Sequence, residues 1–237
     1  MENAYPTERW PAGHRAALLV VVNLAAAEDG NPAIPIRGLD YAATGFQHLL
    51  QTLADLDVAA TTAWSEQALA TSPQLARRAL DEGHDVIPAS GAAAGRDLIT
   101  RLTGEAPAGA MTAGDSDPGN LAWTITDRGG DLPVLVGEGV VSIPTSPFWT
   151  DATWFDPDRP SPPSALLETW SQGLQSVRAS GQLMTVVLHP HLCGRPGFLE
   201  AISRFLDEAI GAGDVWIPRG SELAAWWLSR IPRTVER

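Results

Sequence analysis

The densest group of side chains able to move protons or hold a ligand is His189-Pro190-His191-Leu192-Cys193-Gly194-Arg195, which follows the apolar run 183–188. Imidazole titrates near neutral pH, so His189 can act as general acid or base, with His191 beside it as a binding group. Arg195 can clamp a carboxylate or simply pin its own loop. Cys193 would be a nucleophile only if one of the two histidines lowered its pKa. Other candidates stand after other apolar runs: Asn23 with Glu28 and Asp29 shortly beyond it, Trp64, and Asp151 between Trp149 and Trp154. Glu28 and Asp151 are the carboxylates expected to work with His189. The Asn23 amide can hold a carbonyl or oxyanion without competing for protons, and Trp64, Trp149 and Trp154 can line a pocket for a partly apolar ligand. A His/His/carboxylate metal set from His189, His191 and Glu28 or Asp29 stands against the reading of Glu28-Asp29-Gly30-Asn31 as a solvated turn.

These residues need strands to carry them. Residues 17–24 form a continuous apolar run of the kind a strand buried on both faces requires. Phe46, Leu49, Leu50, Leu53 and Leu56 recur at helical spacing within 41–56. The pattern then predicts a strand over 58–64, a helix over 73–82 capped by Ser72, and a strand over 85–87. Short strands are expected at 121–126, 134–136 and 140–143 within a Gly- and Pro-rich middle, and 144–163 reads as a long irregular strap. Helices over 164–180, 198–210 and 222–228 alternate with strands over 183–188 and 215–217. Such βα alternation predicts a parallel barrel or doubly wound sheet, with ligands at the carboxyl ends of the strands.

With 237 residues and 44% hydrophobic side chains, the chain can bury one sizeable core, so residues 1–237 are read as a single domain. Sixteen basic against 28 acidic residues give a formal charge of -12, which argues against nucleic acid and anionic membranes as partners. No lysine is present, so Schiff-base chemistry and a phosphate-loop lysine are excluded. One cysteine excludes an internal disulfide framework and any multi-cysteine metal cluster. The acidic N-terminal stretch is not a signal peptide and no run reaches the ~18 apolar residues of a membrane span, which places the protein in the cytoplasm. A small-molecule substrate and a second copy of the chain are the partners left to expect.

Taken together, several segments resemble the polysaccharide deacetylase family, in particular its cytoplasmic, allantoinase-like branch. They are Trp10-Pro11-Ala12-Gly13-His14-Arg15, Gly83-His84-Asp85-Val86-Ile87, Thr103-Gly104-Glu105-Ala106-Pro107, the 189–196 segment, Asp214-Val215-Trp216-Ile217 and Glu222-Leu223-Ala224-Ala225-Trp226-Trp227. The resemblance implies a distorted (β/α) barrel with fewer than eight regular strands. It also implies metal-assisted amide hydrolysis, with an aspartate and two histidines on the metal, a second aspartate as base and a late histidine as acid. This sequence departs at those positions. The base position falls on Asn23, the three ligand positions on Ala25, Ala89 and Ala93, and the following arginine and proline on Met111 and Ala113. His189 alone keeps its place, that of the general acid, and the 144–163 segment resembles the strap over the substrate.

The expectation that follows is a deacetylase-like barrel with no metal and no cofactor, repurposed for proton-transfer chemistry such as cyclisation, isomerisation or elimination. Two alternatives stay open: a non-catalytic pseudoenzyme that binds a ligand or partner subunit, and a metal-dependent amidohydrolase or deacetylase with altered ligands.

Overall fold

A computed structural model describes residues 9–24, 41–112, 120–127, 130–137, 139–155 and 161–230. The apolar run Ala16–Leu24 is β1, and its side chains alternate between two cores. Ala17, Leu19 and Val21 meet Ile125, Val141, Ile143 and Val187 inside the barrel. Leu18, Val20 and Val22 meet Phe46, Leu50 and Phe205 on the outer, helix-covered side. Because both faces are dry, the strand carries no polar stripe.

β1 lies between the parallel strands β2 (Thr61–Trp64) and β8 (Leu183–Leu188), with β3 (Asp85–Pro88) beyond β2 and the short β9 (Val215–Trp216) beside the start of β1. A second sheet places β4 (Gly109–Thr112), β5 (Trp123–Thr126) and β7 (Val140–Pro144) in parallel, with β6 (Val134–Val136) antiparallel at its edge. β3 adjoins β4, and on the other side Thr150 makes a single parallel bridge to Val187 of β8. The two sheets thereby curl into the distorted (β/α) barrel expected from the resemblance.

The helices are α1 (Ala42–Asp55), α2 (Glu66–Thr71), α3 (Pro73–Asp81), α4 (Ala93–Thr103), α5 (Pro163–Ser180), α6 (Pro190–Cys193), α7 (Pro196–Gly211) and α8 (Gly220–Arg230). Four elements, α2, α4, α6 and β4, go beyond the sequence expectation. α2 is only six residues long and α4 begins with two alanines and a glycine at Ala93-Ala94-Gly95, so neither shows a strong apolar period. Ser72 precedes α3 but its side chain makes no capping bond, whereas Ser65 accepts from the Ala68 N–H and caps α2. The 144–163 strap contains two short 3-10 turns, Pro147–Trp149 and Asp151–Thr153. Among the described residues no helix is long and apolar enough to cross a membrane.

Two of the segments that carry the resemblance are structural. His84 is buried and its Nδ1 accepts the Ala60 N–H at 2.9 Å. Asp85 accepts from the Ser221 N–H and hydroxyl at 2.9 and 2.7 Å, tying α8 to β3. Trp10 is buried against Trp216 and Trp227 at the amino ends of the strands.

α1 and α6 cross on two glycines, Gly45 and Gly194. A Cβ on Gly45 would lie inside contact distance of the Pro190 carbonyl, and one on Gly194 would strike the Gly45 backbone. This crossing fixes α6, and with it His191, against the barrel. Gly45→Ala is expected to destabilise the fold by about 2–3 kcal/mol through overpacking, read as a lower denaturant midpoint; an unchanged midpoint would show that the crossing can spread without cost.

Candidate functional site

The carboxyl ends of β1, β2 and β8 converge with the turn that follows β7. β8 is buried throughout and ends at Leu188, so the next residue, His189, emerges at the strand end as the N-cap of α6. Asp151 reaches it from the short 3-10 turn beside the Thr150–Val187 bridge. Its carboxylate grips His189 twice: Oδ1 lies 2.6 Å from Nδ1, and Oδ2 accepts the His189 backbone N–H at 2.7 Å. Asp151 is wholly buried and His189 nearly so. The carboxylate accepts, so Nδ1 carries the proton and Nε2 is left to exchange one. Nε2 faces Asn23 of β1, whose Nδ2 lies 3.4 Å away. The structure thus brings Asn23, Asp151 and His189 together from positions distant in the chain.

His191 is buried two residues on, its ring 6.0 Å from that of His189, and its Nε2 has no hydrogen-bond partner among the described residues. Asn23 Oδ1 is likewise buried without a partner among the described residues. Both residues line a cavity of about 270 Å³ together with Trp64, Ser65, Pro190 and the small residues Ala42, Ala43 and Ala68. Trp64 has its ring edge-on to Phe46 and donates its indole N–H to Thr62 Oγ1 at 2.8 Å. Ser65, which sequence reasoning passed over, directly follows the β2 strand end, and the rule that sites gather at such ends would have found it.

The other candidates sit differently. Trp149 packs against α5, where a Cβ on Gly173 would collide with its indole. Trp154 donates its indole N–H to the Phe148 carbonyl at 3.3 Å inside the strap. Neither lines the Asn23–His191 cavity. Their rings pack within the strap and against α5. Arg195 is exposed, its guanidinium stacked 4.5 Å over the Tyr41 ring, and it too lies outside that lining. Cys193 is fully buried, its thiol directed at the His189 carbonyl 3.4 Å away. Burial pushes that thiol well above its usual range, with the nearby Asp151 charge adding to the shift, so it is not an activated nucleophile. Glu28 and Asp29 fall outside the described residues, as does Ala25.

Among the described residues, the positions at which the resemblance implies ligands for a divalent metal hold no matching donors. Ala89, which follows β3 and gives its N–H to the Trp64 carbonyl at 2.8 Å, and Ala93, exposed in the first turn of α4, offer only methyl groups. Among the described residues no three His, Cys, Asp or Glu side chains gather to hold a metal ion. His189, the strongest ligand candidate, has its Nδ1 committed to Asp151.

Burial lowers the His191 pKa from its usual 6.5 to about 4, and the neighbouring His189 adds to the shift. The neutral ring is therefore the folded-state form at pH 7. A histidine depressed in this way gives stability that is complete above its unfolded value near 6.5 and is lost as pH falls towards 4, because the unfolded chain binds the proton first. The unfolding free energy is expected to drop over that window by up to about 3 kcal/mol more in wild type than in His191→Leu. Buried His84, also depressed chiefly by burial, contributes equally to both proteins. Parallel pH curves for the two would overturn the assignment.

No family profile matches the chain, nor does any curated protein. Solved structures do. A Mycobacterium smegmatis protein assigned to the polysaccharide deacetylases superposes with TM-score 0.83 at 21% identity, covering 100% of this chain and 99% of its own. The allantoinase Puue gives 0.84 at 20% identity, covering 98% and 96%. A pseudoenzyme of the CE4 family from Bacillus anthracis gives 0.53 at 12% identity, covering 94% and 67%. The chain accordingly has the polysaccharide deacetylase fold, shared along nearly its whole length with an allantoinase.

Proposed function

We propose that the protein is a metal-independent acid/base enzyme that isomerises, cyclises or eliminates from a small, partly apolar metabolite at the barrel mouth. The observation that carries this reading is the Asp151–His189 pair. A buried carboxylate that grips both the ring and the backbone of one histidine fixes its tautomer and leaves Nε2 as the exchanging atom. In the neutral ring Nε2 takes a proton from substrate; the Asp151 carboxylate then faces the imidazolium, and the same nitrogen returns the proton elsewhere on the substrate. Asn23 supplies a dipole instead of a second base. Its Oδ1 accepts a hydrogen bond from substrate, and its amide moves aside from Nε2 as the substrate arrives.

One observation favours a second reading, a non-catalytic barrel that binds a ligand or partner subunit. Nε2 faces the Asn23 amide, so both ring nitrogens of His189 already have protein neighbours.

In D2O, transfer to and from carbon leaves deuterium in the metabolite. Incubation of the protein with a small-molecule extract of its source cells is expected to deuterate a discrete compound, and folded His189→Gln to do so ~10²–10⁴-fold more slowly. Equal rates would remove His189 from the chemistry, and no incorporation with wild type would leave the binding reading. Elemental analysis of the purified protein is expected to show no stoichiometric zinc, nickel, iron or cobalt. One tightly held equivalent would bring back a metal-dependent hydrolase.

A further inference from the structure

The cavity beside the Asp151–His189 pair has a chemistry of its own. Its described lining contains no Asp, Glu or Arg, so among the described residues an anion or a cation entering it meets no opposite charge. Burying an uncompensated ion is among the costliest events in a protein. Leu24, Trp64, Ala42, Ala43 and Ala68 make most of the wall apolar. Ser65, Gln67, Thr71 and Ser72 also line it, and two further polar atoms of lining residues, Asn23 Oδ1 and His191 Nε2, are buried and have no partner among the described residues. Orphaned buried polar atoms are rare in folded proteins, and a cavity between them is a place where a ligand completes their hydrogen bonds. Asn23 Oδ1 can only accept, which demands an O–H or N–H from the ligand, whereas neutral His191 can donate or accept. An apolar cavity of roughly 150 Å³ admits benzene, so about 270 Å³ has room for a ring carrying substituents.

We propose that this cavity binds a compact, uncharged, ring-sized molecule that donates a hydrogen bond to Asn23 Oδ1 and meets His191 Nε2. The inference rests on the reading of the barrel mouth as a substrate site and names the class of molecule it takes: a neutral ring bearing a hydroxyl or N–H, in place of an acid, an amine or a phosphate ester.

Three probes of one shape and different charge test it: benzyl alcohol, benzoate and benzylammonium. Their binding to the full chain is followed through the Trp64 indole N–H and the His191 ring signals in NMR spectra. Benzyl alcohol is expected to shift both signals saturably, and the two ions to bind at least about tenfold more weakly. His191→Leu, which removes one polar contact, and Ala43→Leu, which fills the cavity, should each weaken benzyl alcohol at least about tenfold. The proposal is overturned by absence of benzyl alcohol binding, by equal or tighter binding of either ion, or by affinities that neither variant changes. His189 does not line the cavity, so selective binding that persists in His189→Gln supports the cavity whatever the deuterium experiment shows. Deuteration by a protein that fails to discriminate the three probes would leave the acid/base reading standing and sink this one.

Discussion

The grip of Asp151 on His189 holds the barrel mouth together. A carboxylate with no exposure to water is a heavy desolvation load, and it is tolerated because both oxygens are engaged, one by a ring nitrogen and one by a backbone N–H. The same contact draws the turn after β7 against the end of β8, where Thr150 and Val187 form the bridge between the two sheets. Closure of that seam and orientation of the histidine are therefore one event. Removing either partner would leave the other buried and unmatched, so the pair is part of the architecture of the barrel mouth.

The surroundings differ in sequence from what the resemblance implies for the barrel mouth. At the ends of β1 and β3 an amide and methyl groups occupy positions where the resemblance calls for metal-binding and basic side chains. What persists is the acid position and the barrel that presents it. Function in this fold follows the few side chains at the mouth, not the scaffold.

Much of this was legible in the chain. The unbroken apolar run at β1 announced a strand dry on both faces, and the period of Phe46, Leu49, Leu50 and Leu53 announced α1. Both signals are local repeats, which a sequence displays directly. The pairing within the site was not legible, because Asn23 and His189 are 166 residues apart and Asp151 and His189 are 38 apart; only the closing of the barrel makes them neighbours. Asp151 was singled out for its place in the strap, but nothing in the string said that it would turn inward while Trp149 turned towards α5. For Arg195 the sequence left open an anion clamp or a loop pin, and the structure stacks its guanidinium on Tyr41.

The glycine crossing of α1 and α6 divides the cavity into two walls of unequal evolvability. Pro190 and His191 belong to the short helix pressed onto Gly45, where even one added methyl has no space, so that wall can scarcely change without refolding the contact. The opposite wall is built from Ala42, Ala43 and Ala68, small side chains on helices that can exchange a methyl for something larger. Diversification of ligand choice on this scaffold would proceed through the alanine wall, with the histidine wall inherited unchanged.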